Sequence, residues 1–202
     1  MTQIGLLILA AGSSSRMGSP KQLLDLGGKS LLQRTIETVL KIQKAPNLVI
    51  LGAFSDRIQG ELETYEIPFI INHDWEQGMG TSLKAGIQAI TQQNPDLKAV
   101  LVLLCDQPYV SDTLLKKIIE IYQNSNSPIV ACEYEGIPGV PALFDQSIFQ
   151  DLMNTPPDIG ARKILQKYKD RTQMVLFPEG KIDIDTPEDY ARLLKQSREA
   201  LG

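Results

Sequence analysis

The sequence is poor in the residues from which several common sites are built. Only two cysteines, Cys105 and Cys132, occur in 202 residues. Their spacing suits no metal site, and Cys105 ends an apolar run, which reads as a buried thiol rather than a nucleophile. The one histidine, His73, has no partner in the pattern and is given no role. No basic run or stripe is present. Lys and Arg number 20 against 24 Asp and Glu, for a formal charge of -4 and a pI of about 5.1. That composition argues against a nucleic-acid or anionic-membrane partner. An anionic ligand has to be met by a few placed cations rather than by net charge. No apolar stretch is long enough to span a bilayer. The opening MTQIGLLILAAG has no cationic leader and runs directly into Gly12 and Arg16. It reads as a first strand, and a cytoplasmic protein is expected. No repeat, linker or low-complexity segment interrupts the chain. With 43% hydrophobic residues, one domain over 1–202 is expected. Two familiar phosphate loops are missing as well. GxGxxG is absent, and Gly12 and Gly18 are too far apart for GxxxxGK[ST].

What is present is an alternation of apolar runs and helix-period segments. Strands are expected at Ile4 to Leu9, Asn47 to Leu51, Pro68 to Ile71 and Ala99 to Leu104. The last of these is continuously apolar, as a strand covered on both faces should be. Helices are expected at Ser30 to Ile42, Ser55 to Thr64, Thr81 to Gln92 and Ser111 to Tyr122, with Ser30 and Ser111 as caps. Further on, Ile129 to Cys132 and Ala142 to Phe144 read as short strands separated by the Gly/Pro stretch EGIPGVP. Ile148 to Met153 and Ile159 to Tyr168 look helical, and Met174 to Phe177 is another strand. Thr186 and Asp189 form a capping box, with Pro187 at the first position of a last helix. The alternation predicts an open three-layer α/β fold on a mostly parallel, mixed central sheet.

The chemistry concentrates where strands end. After Leu6 to Leu9 the chain reads AAGSSSRMGSPKQ. In open α/β sheets ligands sit beyond the carboxyl ends of the strands. Gly12 and Gly18 allow backbone N–H groups to approach an anion, Ser13 to Ser15 add short donors, and Arg16 and Lys21 supply charge. Asp106 follows the buried strand Ala99 to Leu104. If the two strands are neighbours, it lies near the loop, where a Mg²⁺ ligand beside a triphosphate is needed. KIDIDTPED adds Asp183 and Asp185 in an extended segment. They are expected to face opposite sides, one reaching the metal and the other capping or positioning.

Taken together, LAAGSSSRMGSPKQLL, NHDWEQGMGTSLKAGI, LCDQPYVS, GVPALF, DIGARKIL and DIDTPEDY resemble, in order and over nearly the whole chain, the nucleotidyltransferases that finish the molybdenum cofactor. LAAG is similar to the cytidylyltransferase branch rather than the LAGG of the guanylyl branch. The resemblance implies a Rossmann-like fold, Mg²⁺ dependence, and transfer of CMP from CTP to the cofactor's terminal phosphate with release of pyrophosphate. It implies that Ala10, Ala11, Gly12 and Ser13 hold the triphosphate. Arg16 and Lys21 would contact phosphate, and Asp106 the metal. The segment from Asn72 through Gly78 to Ser82 would help hold the nucleoside, and Asp183 or Asp185 would complete the metal or acceptor side. Transient contact with a molybdoenzyme or its chaperone would follow. The chain departs from the family pattern at Val140, where many cytidylyl members carry His. A sugar or polyol phosphate, or a guanylyl transfer, is the second reading, to be decided by Gly136 to Phe144 and Asp158 to Arg162. A non-catalytic nucleotide-binding module is the third, opposed by the joint presence of Lys21 and Asp106.

Overall fold

The computed structural model describes residues 3–42 and 45–199. Seven strands, β1 (Ile4–Ala10), β2 (Asn47–Leu51), β3 (Phe69–Ile71), β4 (Ala99–Leu104), β5 (Ile129–Tyr134), β6 (Ile137–Asp145) and β7 (Thr172–Leu176), form one sheet. Its order is β3-β2-β1-β4-β6-β5-β7. Only β6 runs against its neighbours; the other pairs are parallel. The helices are α1 (Leu31–Leu40), α2 (Ser55–Glu63), α3 (Met79–Gln93), α4 (Asp112–Asn124), α5 (Phe149–Met153), α6 (Arg162–Lys167) and α7 (Pro187–Glu199). The result is a three-layer, Rossmann-like sandwich on a mixed, mostly parallel sheet. No helix among the described residues is long and apolar enough to cross a membrane.

The layers follow from strand periodicity. Every residue of β1 is buried. Side chains alternate between faces, so Leu6, Ile8 and Ala10 pack with α1, α2 and α4, while Leu7 and Leu9 pack with α3, α5 and α6. A smaller cluster of Leu26, Leu31, Ile184 and Leu193 fastens α7 beside the first loop. There the Tyr190 hydroxyl also donates to the Asp25 carbonyl. Thr186 and Asp189 exchange the two hydrogen bonds of the expected capping box, at 3.0 and 3.2 Å, ahead of Pro187.

Two expectations change. EGIPGVP is not a separator: the turn is confined to Glu135 and Gly136, both at positive φ, and Ile137 to Pro141 belong to β6. Glycine and proline signal a turn, but here the antiparallel partner β5 holds the stretch extended, and Gly139 is required because a Cβ there would meet the Tyr134 ring. The helix expected over Ile159 to Tyr168 shortens to Arg162–Lys167, because the chain before it is drawn against α3.

Ser30 caps α1 as read. Its Oγ accepts from Gln33 N at 3.1 Å and Gln33 Oε1 accepts from Ser30 N at 2.9 Å. Ser30→Ala should lower stability by about 1 kcal/mol. The expected readout is a reduced urea midpoint with an unchanged slope; an unchanged midpoint would contradict the cap.

Candidate active site

β1 continues sideways to β2 and β3, and the chain then returns to the other flank of β1 as β4. This reversal of strand order opens a crevice at the strands' carboxyl ends. A cleft of about 310 Å³ lies there, lined by Ala10, Ala11, Gly12, Ser13, Lys21, Gln22, Trp75, Gly78, Met79, Ser82 and Asp106 among others. The structure therefore brings together the loop, the lysine and the strand-end carboxylate at one edge.

The loop is held from below by Gln22, a residue the sequence reading did not single out. Gln22 is buried, and its amide donates to the carbonyls of Ala10 at 3.0 Å and Gly12 at 2.9 Å. A trans peptide unit points its C=O and N–H in opposite directions, so the N–H groups of Ala11 and Ser13 point away from Gln22. Among the described residues, the N–H groups of Gly12 and Ser13 meet no protein acceptor. Ser14, at positive φ, closes the bend: its Oγ accepts from Lys21 N at 2.9 Å and donates to Gln22 Oε1 at 3.3 Å. The loop is thus a fixed set of outward donors. The only signal in the sequence was one amide between Lys21 and the apolar Leu23.

Charge meets the loop from two other segments. Lys21 Nζ lies 2.5 Å from Asp106 Oδ2 and 2.9 Å from Asp185 Oδ1, and Arg16 reaches Asp185 Oδ2 at 2.5 Å. Burial works against the Lys21 charge, but the two carboxylates outweigh it and hold the ammonium well above its ordinary value. Burial would likewise raise the Asp185 carboxyl; Lys21 and Arg16 outweigh that and hold it below the usual range. Asp183 goes the other way, pushed up by burial and then by the charges of Asp185 and Asp106. The expectation that Asp183 and Asp185 face opposite sides is therefore corrected. Residues two apart in an extended segment project to the same side, and here the residue turned inward is Ile184, fully buried between them. Among the described residues, no three His, Cys, Asp or Glu side chains gather as a ready metal cage. Magnesium needs only one or two carboxylates beside phosphate oxygens and water.

The 72–82 segment divides its roles. Gly78 and Ser82 line the cleft, but Asn72 does not. Its amide donates to Thr81 Oγ1 at 2.8 Å and Ser82 Oγ at 3.0 Å, and its Oδ1 accepts from Asp74 N. Asn72 thereby staples the segment to the start of α3. Gly78 sits at φ 123°, where a Cβ would strike the Pro157 carbonyl. Trp75 packs on the sheet and also walls the cleft. Cys105 is buried at the cleft floor. Burial, reinforced by the Asp106 charge, pushes its thiol up to about 12. A second cavity, about 430 Å³, shares Met79 with the first and is walled by Tyr134, Ile137 to Val140, Gly160 to Arg162, Leu165 and Lys181.

A backbone-donor loop and a facing strand-end acid at the switch point of such a sheet suit a polyphosphate ligand. Residues 6–172 match the model of the MobA-like NTP transferase domain, and the chain belongs to that family. Among curated relatives, a nicotine blue oxidoreductase of Paenarthrobacter nicotinovorans is 30% identical, covering 93% of this chain and 95% of that one. The molybdenum cofactor cytidylyltransferase of Escherichia coli is 26% identical over 94% and 95%. Among solved structures, Rv0371c of Mycobacterium tuberculosis superposes with a TM-score of 0.84 at 27% identity, over 96% and 98%.

Two outcomes follow from this geometry. Gln22→Leu should weaken nucleoside triphosphate binding about tenfold or more, since the loop loses the two bonds that hold its donors in place and must be ordered at the expense of binding. Trp75, the single tryptophan, reports the binding by fluorescence; an affinity equal to the parent's would contradict the loop's dependence on Gln22. In the native protein at pH 8, iodoacetamide should leave Cys105 and Cys132 unmodified, because burial pushes both thiols up to about 12. Rapid alkylation of Cys105, read by mass spectrometry, is the opposing result.

Proposed function

We propose that this nucleotidyltransferase moves CMP from CTP to the terminal phosphate of molybdopterin, with Mg²⁺, releasing pyrophosphate. The observation that carries the reading is the placement of Lys21 and Asp106 against the donor loop, with a second cavity that shares Met79 as a wall. One cavity would take the triphosphate and the other the acceptor, with Met79 lining both. The similarity to the Escherichia coli cytidylyltransferase over nearly the full chain supports the donor and the acceptor.

The acids suit a hard divalent cation. Asp106 Oδ1 is buried and has no hydrogen-bond partner among the described residues, so an acceptor oxygen is held ready beside the loop. Asp106 would hold the ion, with Asp185 or Asp183 as a second oxygen source. A solved structure of Rv0371c contains manganese. When bound, the cation supplies charge neutralisation on phosphoryl oxygens.

The rest is done by the chain. A phosphate monoester is already anionic near neutral pH, so the acceptor needs no strong base from the protein. The difficulty is to bring two anions together, and catalysis rests on positioning and charge. The outward N–H groups of the 10–13 loop orient the triphosphate. Lys21 offsets charge at the α-phosphate, and Arg16, exposed at the rim, offsets it on the departing pyrophosphate. Asn72 and Gly78 fix the approach of α3, which brings Ser82 to the nucleoside side.

A second acceptor class is favoured by one observation. Beside the apolar Ile137, Pro138 and Val140, the second cavity is lined by Glu135, Arg162 and Lys181, charged groups that suit the hydroxyls and phosphate of a small polar acceptor. A sugar or polyol phosphate is therefore the alternative acceptor.

Pyrophosphate release measured with CTP or GTP, Mg²⁺, and either molybdopterin or a polyol phosphate tests the reading. Release with CTP and molybdopterin is expected. Asp106→Ala should abolish turnover with an unchanged circular dichroism spectrum, because Lys21 keeps Asp185 as its partner. Lys21→Ala should lower kcat more than CTP affinity. Near-parental turnover in both variants would end the assignment.

A further inference from the structure

The acid pair that would take a divalent cation already holds a protein cation. Lys21 Nζ shares Asp106 Oδ2 and Asp185 Oδ1 at 2.5 and 2.9 Å, and the Lys21 and Asp106 side chains are only 15% and 12% exposed. Arg16 occupies the second oxygen of Asp185 from the solvent side. Three of the four oxygens on these two carboxylates are therefore bound to protein cations; the fourth, Asp106 Oδ1, is buried and has no partner among the described residues. A divalent ion arriving alone would have to settle beside an ammonium in a partly dry site, or displace it with nothing to receive it. Both are unfavourable, since like charges repel strongly and a buried ammonium needs a partner. A polyphosphate on the 10–13 loop changes that balance, because it offers Lys21 and Arg16 new anionic oxygens a few bonds along the same chain.

We infer that Lys21 is an internal counter-ion lock, which closes the Asp106–Asp185 pair to free divalent cations until a triphosphate draws the ammonium away. The metal then enters with the nucleotide and not before it. Asp183 adds to the negative field that holds the lock shut, and Arg16 is its outer, more exposed half. The lock itself rests on the ion-pair geometry; only the identity of the releasing ligand rests on the nucleotidyl-transfer reading.

Mn²⁺ alone, without nucleotide, is the probe, followed by calorimetry and by electron paramagnetic resonance of the free ion at pH 7.5. Lys21→Met and Lys21→Gln should each bind Mn²⁺ at least about tenfold more tightly than the parent, the size of one charge-assisted contact regained. Adding Asp106→Asn to Lys21→Gln should erase the gain. Lys21→Gln keeps hydrogen bonding to the carboxylates, so it serves if Lys21→Met fails to fold. Unchanged Mn²⁺ affinity in a folded Lys21 variant, or a gain that survives Asp106→Asn, overturns the lock. The two readings fail separately. Tighter Mn²⁺ binding with no pyrophosphate release from any triphosphate keeps the lock and removes the transfer reading. Release with unchanged Mn²⁺ affinity does the reverse.

Discussion

One ammonium between two carboxylates ties this site together. Lys21 and Asp106 are 85 residues apart in the chain, and Lys21 and Asp185 are 164 apart. The contact exists only if β1 and β4 are neighbours, if the loop after β1 bends back at Ser14, and if α7 docks on the cluster around Leu26 and Ile184. Partly buried charges persist when they are paired and hydrogen-bonded and are costly when they are not. The triad of Lys21, Asp106 and Asp185 is therefore both a product of the fold and a constraint on it.

Around that contact the molecule separates holding from reacting. Gln22 holds the Ala10 and Gly12 carbonyls and so turns the N–H groups of Ala11 and Ser13 away from itself. Asn72, Gly78 and the 156–159 segment set the height of α3 against the crevice. Gln107, buried next to Asp106, donates to the carbonyls of Val140 and Gly180 at 3.1 and 3.0 Å. It thus ties the donor side to the wall of the second cavity. The relatives carry names for different activities at this length and coverage, as expected when function lives in sites set on a shared fold.

Much of the fold was legible because burial on both faces leaves a plain mark. NLVIL and AVLVLL coincide with β2 and β4, and Ser30, Ser111 and Thr186 cap the helices they precede. EGIPGVP was misread because glycine and proline are local signals and the pairing of β5 with β6 is not. Of the cleft's lining, the glycine–serine run after one buried strand and the carboxylate at the end of another were legible, because strand ends converge on one edge of such a sheet. Gln22 left no such trace, since a neutral amide announces nothing until the carbonyls above it are known. Asn72 entered through the family resemblance alone, and its hydrogen bonds to Thr81 and Ser82 are found only in three dimensions. The side shared by Asp183 and Asp185 depended on where Ile184 packs.

The most direct test of the account is a crystal structure with CTP and magnesium. The account predicts the triphosphate along Gly12 and Ser13, a metal ion on Asp106, and Lys21 moved from the carboxylates to a phosphate oxygen. A triphosphate bound away from that loop, or Lys21 still seated on Asp106 with the nucleotide in place, would contradict it.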